Sequence, residues 1–363
     1  MDTYCKKLLL PVIAIFLGHM IVAQEKVFKQ LTESYPMTDS GELHLENKYG
    51  DINIYGWDKE EISISIAISV THKKKANAED LIKRIDPKIT GSDNFVDIAF
   101  KIAEKNDNFF TKYFNKANPF DPDRNNVEID YTVYMPIRAQ LKITNKFGDV
   151  IIEDWEGRLR ANVEHGDIWI NKDLSRADID VNYGKLRGQS IDYGTVRLKN
   201  GSLNMVDSKN LRINSNGSYV TINSAASLEI YSNKDEVILE EVGTLYGTLK
   251  FSTMELNRLK KDIDLSMKVT DFRVSKILDP NTDIAIQQES SKVSLNIANI
   301  PLRLKATLEQ GLVRLPKSFK NVESNMINEG KRIREITAVY GNNSTGKVSI
   351  TGKKGVILLK ELY

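Results

Sequence analysis

His165 and Asp167 stand two residues apart, close enough for an imidazole and a carboxylate to share a proton as a general base. Asp149 lies eighteen residues before Asp167, with Asp192 further on, and carboxylates aligned on adjacent strands could hold calcium or flank a glycosidic bond. The run Asp121-Pro-Asp-Arg-Asn-Asn126 opens like a calcium loop, but it lacks the central glycine and places Thr132 where the bidentate glutamate belongs. Each of these has a simpler reading. The surrounding sequence repeats, with Phe147/Asp149 and Tyr183/Lys185 in the places of His165/Asp167. The imidazole therefore fills an aromatic slot and the carboxylate a turn slot. The chain holds four histidines and one cysteine, and it has no Gly-x-Ser-x-Gly elbow, phosphate-cradling glycine loop or His-Glu-x-x-His. No catalytic residue, metal site or cofactor is expected.

Side chains that act by contact are better represented. Phe109, Phe110, Tyr113, Phe114 and Phe120 crowd into a polar stretch, 104–126, rich in Asn and Asp, while Trp155 and Trp169 fall at or beside turns. The ring cluster either caps the open end of the core or binds a partner or glycan, and the two tryptophans either pack against neighbouring turns or stack on sugar rings. These seven form the candidate contact surface. Lys73-Lys-Lys75 with Lys83 and Arg84 reads as a solvated basic face.

The elements that position these residues follow from a repeat. Asn145-Lys-Phe-Gly-Asp-Val-Ile-Ile152, Val163-Glu-His-Gly-Asp-Ile-Trp-Ile170 and Val181-Asn-Tyr-Gly-Lys-Leu-Arg-Gly188 set Gly148, Gly166 and Gly184 eighteen residues apart. From Val150 onward apolar pairs start about every nine residues (Leu159, Ile168, Ala177, Leu186, continuing to Val237), so two strands make a unit of about 18 residues. At roughly 3.3 Å per residue such a unit has a perimeter near 60 Å, enough for a flattened coil with one layer of inward side chains. The expected fold is all-β: a single-stranded β-solenoid of about 18-residue rungs, preceded by an N-terminal β region with one short helix. Each glycine supplies the φ > 0 of a tight corner. The residues before the glycines (Tyr49, Phe147, His165, Tyr183, Tyr193) are expected to stack about 4.8 Å apart on successive rungs.

The repeat also occurs earlier. Leu43-His-Leu-Glu-Asn-Lys-Tyr-Gly-Asp-Ile-Asn-Ile54 matches Leu141–Ile152 at a constant offset of 98, an internal duplication. Between the copies, Glu61–Val70 and Val127–Met135 alternate strictly, as strands with one buried face do. Ala78, Leu81, Ile82 and Ile85 have the i, i+3, i+4, i+7 spacing of a helix face over 76–85.

Residues 1–23 carry Lys6 and Lys7, then an apolar run from Leu8 to Val22, ending at Ala23. This layout is a secretory signal peptide, too short in its apolar part for a permanent span and leaving none after cleavage. Cys5 precedes the apolar run, so a lipid-anchored cysteine is not expected, and cleavage removes the one thiol. The formal net charge is +2 over 363 residues, which argues against an extended nucleic-acid surface. The expected division is 1–23 leader, 24–138 β region with helical and aromatic insertions, and 139–363 solenoid.

The Asn-Lys-aromatic-Gly-Asp copies, the Tyr131-Thr-Val-Tyr-Met-Pro136 strand and the exported leader resemble a bacterial family of exported putative adhesins over roughly residues 41–300. These are β-solenoids of a domain of unknown function, related to auto-transporter adhesin heads. The resemblance implies a non-enzymatic cell-envelope protein, in the periplasm or on the outer surface, whose solenoid faces contact an envelope protein or a glycan. It brings no catalytic residues with it. The alternative is a polysaccharide lyase or glycoside hydrolase of the β-helix type, which needs acids converging with Arg or Lys in one groove. The outward residues Arg158, Arg160, Glu164, Arg187, Arg197 and Lys199 read as mixed.

Overall fold

The computed structural model describes residues 25–99 and 126–362. The leader, the rings of Phe109, Phe110, Tyr113, Phe114 and Phe120, and residues 121–125 of the calcium-like run lie outside the described residues.

Period-two alternation makes this chain almost wholly β. In Glu61–His72 the buried positions are Ile62, Ile64, Ile66, Ile68 and Val70, with Ser69 the one polar side chain buried among them. Glu61, Ser63, Ser65 and Ala67 face outward. Each fully buried Ile contributes roughly 1.5–3 kcal/mol. One helix is present among the described residues, Lys75–Arg84, and it packs Ala78, Leu81 and Ile82 against Glu25–Pro36 and Glu61–His72.

The strands form two ladders that share one apolar core running from Met37 to Leu359. In the first ladder Gln140–Phe147, Leu159–Glu164 and Leu174–Asn182 pair in parallel, with Leu141 opposite Leu159 and Leu159 opposite Ala177, eighteen residues on each time. In the second, Val150–Glu153, Ile168–Ile170 and Lys185–Lys199 do the same, with Ile168 between Val150 and Leu186. The interval then shortens to seventeen: Leu186 pairs Leu203, Leu203 pairs Val220 and Val220 pairs Val237. Four fifteen-residue strands, Lys185–Lys199, Ser202–Asn216, Tyr219–Asn233 and Glu236–Lys250, carry this stretch and serve both ladders. Further on the interval returns to eighteen (Met254 with Phe272) and then widens to twenty-one (Phe272 with Val293).

One corner stays constant throughout. From His165 to Val269 a residue with positive φ is followed at each layer by a small one: His165-Gly166, Tyr183-Gly184, Asn200-Gly201, Gly217-Ser218, Lys234-Asp235, Phe251-Ser252 and Val269-Thr270. The positive-φ residue donates its N–H to the next layer, as His165 does to the Asn182 carbonyl and Phe251 to that of Lys268, both at 2.9 Å. The other corner absorbs every change in length. It is Asn171-Lys-Asp173 in one layer, vanishes into the fifteen-residue strands, and becomes Leu278-Asp-Pro-Asn-Thr282 later.

The glycines of the repeat therefore serve two purposes. Gly50 and Gly148 carry the positive φ, at 112° and 142°. At the next two layers His165 and Tyr183 carry it, at 57° and 58°, and the glycine is required by contact. A Cβ on Gly166 would sit 1.9 Å from the Gly148 carbonyl oxygen, and one on Gly184 would sit 1.8 Å from that of Gly166. The expected ring column is present from Tyr49 to Tyr183: centroids lie 5.7 Å apart for Tyr49 and Phe147, 5.2 Å for Phe147 and His165, and 4.9 Å for His165 and Tyr183. Tyr193 is not in it, because Gly194 lies within a strand and Tyr193 faces outward opposite Arg176.

Both ends of the stack are interleaved. The duplicated segments at offset 98 are neighbours, Tyr49 opposite Phe147 and Ile52 opposite Val150. The layer outside Glu42–Trp57 comes from later sequence, Phe95–Ala99 and Val127–Pro136. At the far end Gly346–Lys353 and Val356–Lys360 sit between the layers of Asp283–Asn296 and Leu302–Arg314, both of which precede them in sequence. Antiparallel strands then finish each end: Glu25–Pro36 beyond Glu61–His72, and Lys320–Asn328 beyond Ile333–Tyr340.

Two substitutions probe the constant corner. Gly166→Ala forces a methyl into a backbone carbonyl and is expected to destabilise by about 3 kcal/mol, read by chemical denaturation. Val269→Gly relieves a β-branched residue from positive φ (50°) at an exposed position and is expected to stabilise by about 1 kcal/mol after the glycine's own entropy cost, read as a higher Tm.

Candidate binding surface

Trp155 does not belong to the contact surface. It follows Val150–Glu153 at the variable corner, its ring is fully buried, and its indole N–H donates to the Ala139 carbonyl at 3.1 Å. Its position beside a turn suggested exposure, but the turn folds inward over the core.

Trp169 is 43% exposed, on the outward face of Ile168–Ile170. Register places it between Ile151 and Arg187, whose guanidinium lies 5.5 Å from the indole centroid. A cation over an indole face is favourable by about 0.5–1 kcal/mol at an exposed site.

The same ladder bears a second aromatic group toward the N-terminal end. Ile52–Trp57 alternates so that Asn53, Tyr55 and Trp57 share a face, and parallel pairing sets Tyr55 directly opposite Tyr134 of Val127–Pro136. The Tyr55 and Tyr134 rings stack at 5.0 Å, and Trp57 stacks on Tyr134 at 5.4 Å. The Lys59 ammonium lies 4.4 Å from the Trp57 ring, and the Trp57 indole donates to the Glu61 carbonyl at 2.7 Å, which fixes its tilt. Tyr134 is 41% exposed. The alternation of residues 53, 55 and 57 was visible in the sequence, but pairing with Tyr134 across about eighty residues was not.

The polar candidates are structural. Asp51, Asp149 and Asp167 form a column at the constant corner, each accepting the backbone N–H of the next layer: Asp149 to Asp51, Asp167 to Asp149 and Lys185 to Asp167, all at 2.8 Å. Asp130 starts the column by accepting from the Asp51 N–H, and burial raises its carboxyl pKa against the lowering effect of that bond. Asn47 and Asn145 lie buried beside the column, and their amides donate to the carbonyls of Gly50 and Gly148. Asp192 stands elsewhere, paired with Lys209 at 2.7 Å. His165 is held between two rings, as described above. Among the described residues no group of three or more His, Cys, Asp or Glu is placed to hold a metal ion.

Trp155 and Trp169 thus separate cleanly by role. Trp155→Ala is expected to cost about 3–5 kcal/mol by cavity formation. Trp169→Ala should stay within about 1 kcal/mol of the native protein in the same denaturation experiment.

No family model matches the chain, and no curated protein does. Among solved structures, the chain is similar to a putative adhesin from Parabacteroides merdae at 15% identity, with 74% of this chain and 96% of that chain covered and a TM-score of 0.39. A putative adhesin from Parabacteroides distasonis matches at 13% identity over 74% of this chain and 96% of that one, with a TM-score of 0.36. A putative lipid binding protein from the same organism matches at 12% identity over the same shares, with a TM-score of 0.32. These likenesses assign no residue of this chain a role; they set it beside bacterial structures that mostly bear adhesin names.

Proposed function

We propose that the two ladders are the walls of a β-solenoid of about 18-residue rungs, and that the protein is a non-enzymatic module of the bacterial cell envelope. It binds glycan or protein through its outward faces, in the manner of an adhesin. The observation that carries this reading is the aromatic surface of the second ladder: the Tyr55–Tyr134–Trp57 stack and, two strands further on, Trp169 under Arg187. Flat rings on a flat, pre-formed wall stack on pyranose faces or partner side chains at little entropic cost. Inward positions are used by the core, and the corner carboxylates are engaged by backbone N–H groups. That engagement leaves the β-helix lyase or glycoside hydrolase reading without a supporting acid pair in this column.

Export rests on the leader at 1–23, with release to the periplasm or outer surface. No helix among the described residues is long and apolar enough to cross a membrane. The test is binding of the mature chain to a panel of envelope and neutral glycans. Trp169→Ala and Tyr134→Ala are each expected to weaken the best neutral glycan about tenfold while leaving the fold intact. A protein that binds no glycan and no envelope protein, or whose binding ignores both substitutions, would reject the reading.

A further inference from the structure

On the outward face of the first ladder a cleft of about 590 Å³ opens across strands from Gln140–Phe147 to Ser202–Asn216. Five cations line it: Lys142, Arg158, Arg160 and Arg176, with Arg212 at the far side paired to Glu229. Lys142 and Arg160 are direct cross-strand partners. Arg158 stands two residues before Arg160, and Arg176 two before Asp178, the partner of Arg160, so the register also sets Arg158 beside Arg176. Like charges directly opposite each other on a sheet are destabilising.

The acids bordering the cleft, Asp178 opposite Arg160 among them, are drawn to other partners. Glu42 is engaged by His44 at 2.6 Å, and Asp178 by Arg197 at 2.6 Å. Glu229 accepts from Arg212 at 2.6 Å and from Tyr231 at 2.7 Å. Burial would raise the Glu229 carboxyl, yet those two bonds outweigh it and hold the group ionised and occupied. Lys142, Arg158, Arg160 and Arg176 make no ion pair among the described residues. Tyr193, 51% exposed and opposite Arg176, offers a ring at the edge of the cationic group.

We infer that this cleft binds an anionic polysaccharide, one bearing carboxylate or sulfate groups along its chain. The inference rests on the proposed binding role but uses the other ladder. A chain lying across the strands meets a new strand about every 4.8 Å, so acidic groups find Lys142 and Arg160 along one row and Arg158 and Arg176 along the neighbouring row. Guanidinium forks suit carboxylate and sulfate alike, and Tyr193 can stack on a sugar face. Beneath the cleft the inward side chains shrink from Leu159 to Ala177 and Gly194, which lets the wall sink toward the core.

The test is affinity electrophoresis of the mature protein in polygalacturonate, dextran sulfate and neutral dextran at increasing salt, with vesicles containing anionic phospholipid as a separate arm. The variants are Arg158→Thr/Arg160→Thr/Arg176→Thr and a control of equal charge change at exposed positions (Lys199→Thr/Lys250→Thr/Lys276→Thr). The expected result is retention by both polyanions and not by dextran, fading with salt, weakened at least about tenfold in the arginine variant and unchanged in the lysine control. Equal loss in the lysine control, or none in the arginine variant, would overturn the inference. So would capture by vesicles without binding to either polyanion, which would reassign the cleft to lipid headgroups. Neutral-glycan binding through Trp169 with no polyanion binding would reject the cleft alone, whereas failure on every glycan and partner would reject the wider reading.

Discussion

The architecture hangs on how closely one layer's backbone approaches the next at the constant corner. The Gly148, Gly166 and Gly184 positions leave no room for a Cβ beneath the preceding layer's carbonyl, so the layers can stack at ladder spacing around the bend as well as along the walls. From His165 onward the residue before each small one takes positive φ and sends its N–H across to the adjacent layer. The Asp51–Asp149–Asp167 column, and later Asp235, satisfy the N–H groups that the turn would otherwise leave without partners. Asp235 is itself buried and accepts from Ser215, Ser232 and the backbone N–H groups of Ser218 and Asn233, four donors that compensate a carboxylate making no ion pair among the described residues. With this corner fixed, register is fixed, and the variable corner can lengthen or disappear without disturbing either wall.

Much of this was legible because period-two alternation and a glycine every eighteen residues report backbone geometry directly. The strands of 61–70 and 127–135, the helix at 76–85 and the ring column from Tyr49 to Tyr183 all follow from local spacing. What escaped was whatever depends on which segments become neighbours. The offset of 98 marks a stacking contact between Tyr49 and Phe147, and the sequence could not show that intervening residues return to cover the other side. The glycines were read as torsional necessities, whereas at Gly166 and Gly184 the contact with the layer before is what excludes a side chain. Trp155 was misjudged because a turn can bury its ring as easily as present it. Arg158 and Arg160 looked mixed with acids along the chain, but across strands they converge with Arg176 while Asp178 and Glu229 are drawn to Arg197 and Arg212.

The two outward faces consequently differ in chemistry although one repeat builds both. The second ladder presents stacked rings with a single cation over each group, a surface suited to uncharged rings and apolar edges. The first presents cations whose neighbouring acids are otherwise engaged. Because outward positions bear no packing load, each layer can change its surface chemistry independently. Successive registers that bring Lys142 opposite Arg160 and Ile151 opposite Trp169 are enough to make two distinct surfaces on one scaffold.

The interleaving at the C-terminal end has a mechanical meaning. Val356–Lys360 is hydrogen-bonded on both edges, to Lys292–Asn296 and to Leu312–Arg314, and it runs parallel to both. A force pulling on that terminus along the strand loads all of these bonds together in shear, where an outermost strand would peel one bond at a time. Refolding after such a rupture requires the strand to re-enter a slot between two assembled layers. The stack thus resists extension from one end by its topology, independently of how strong any single contact is.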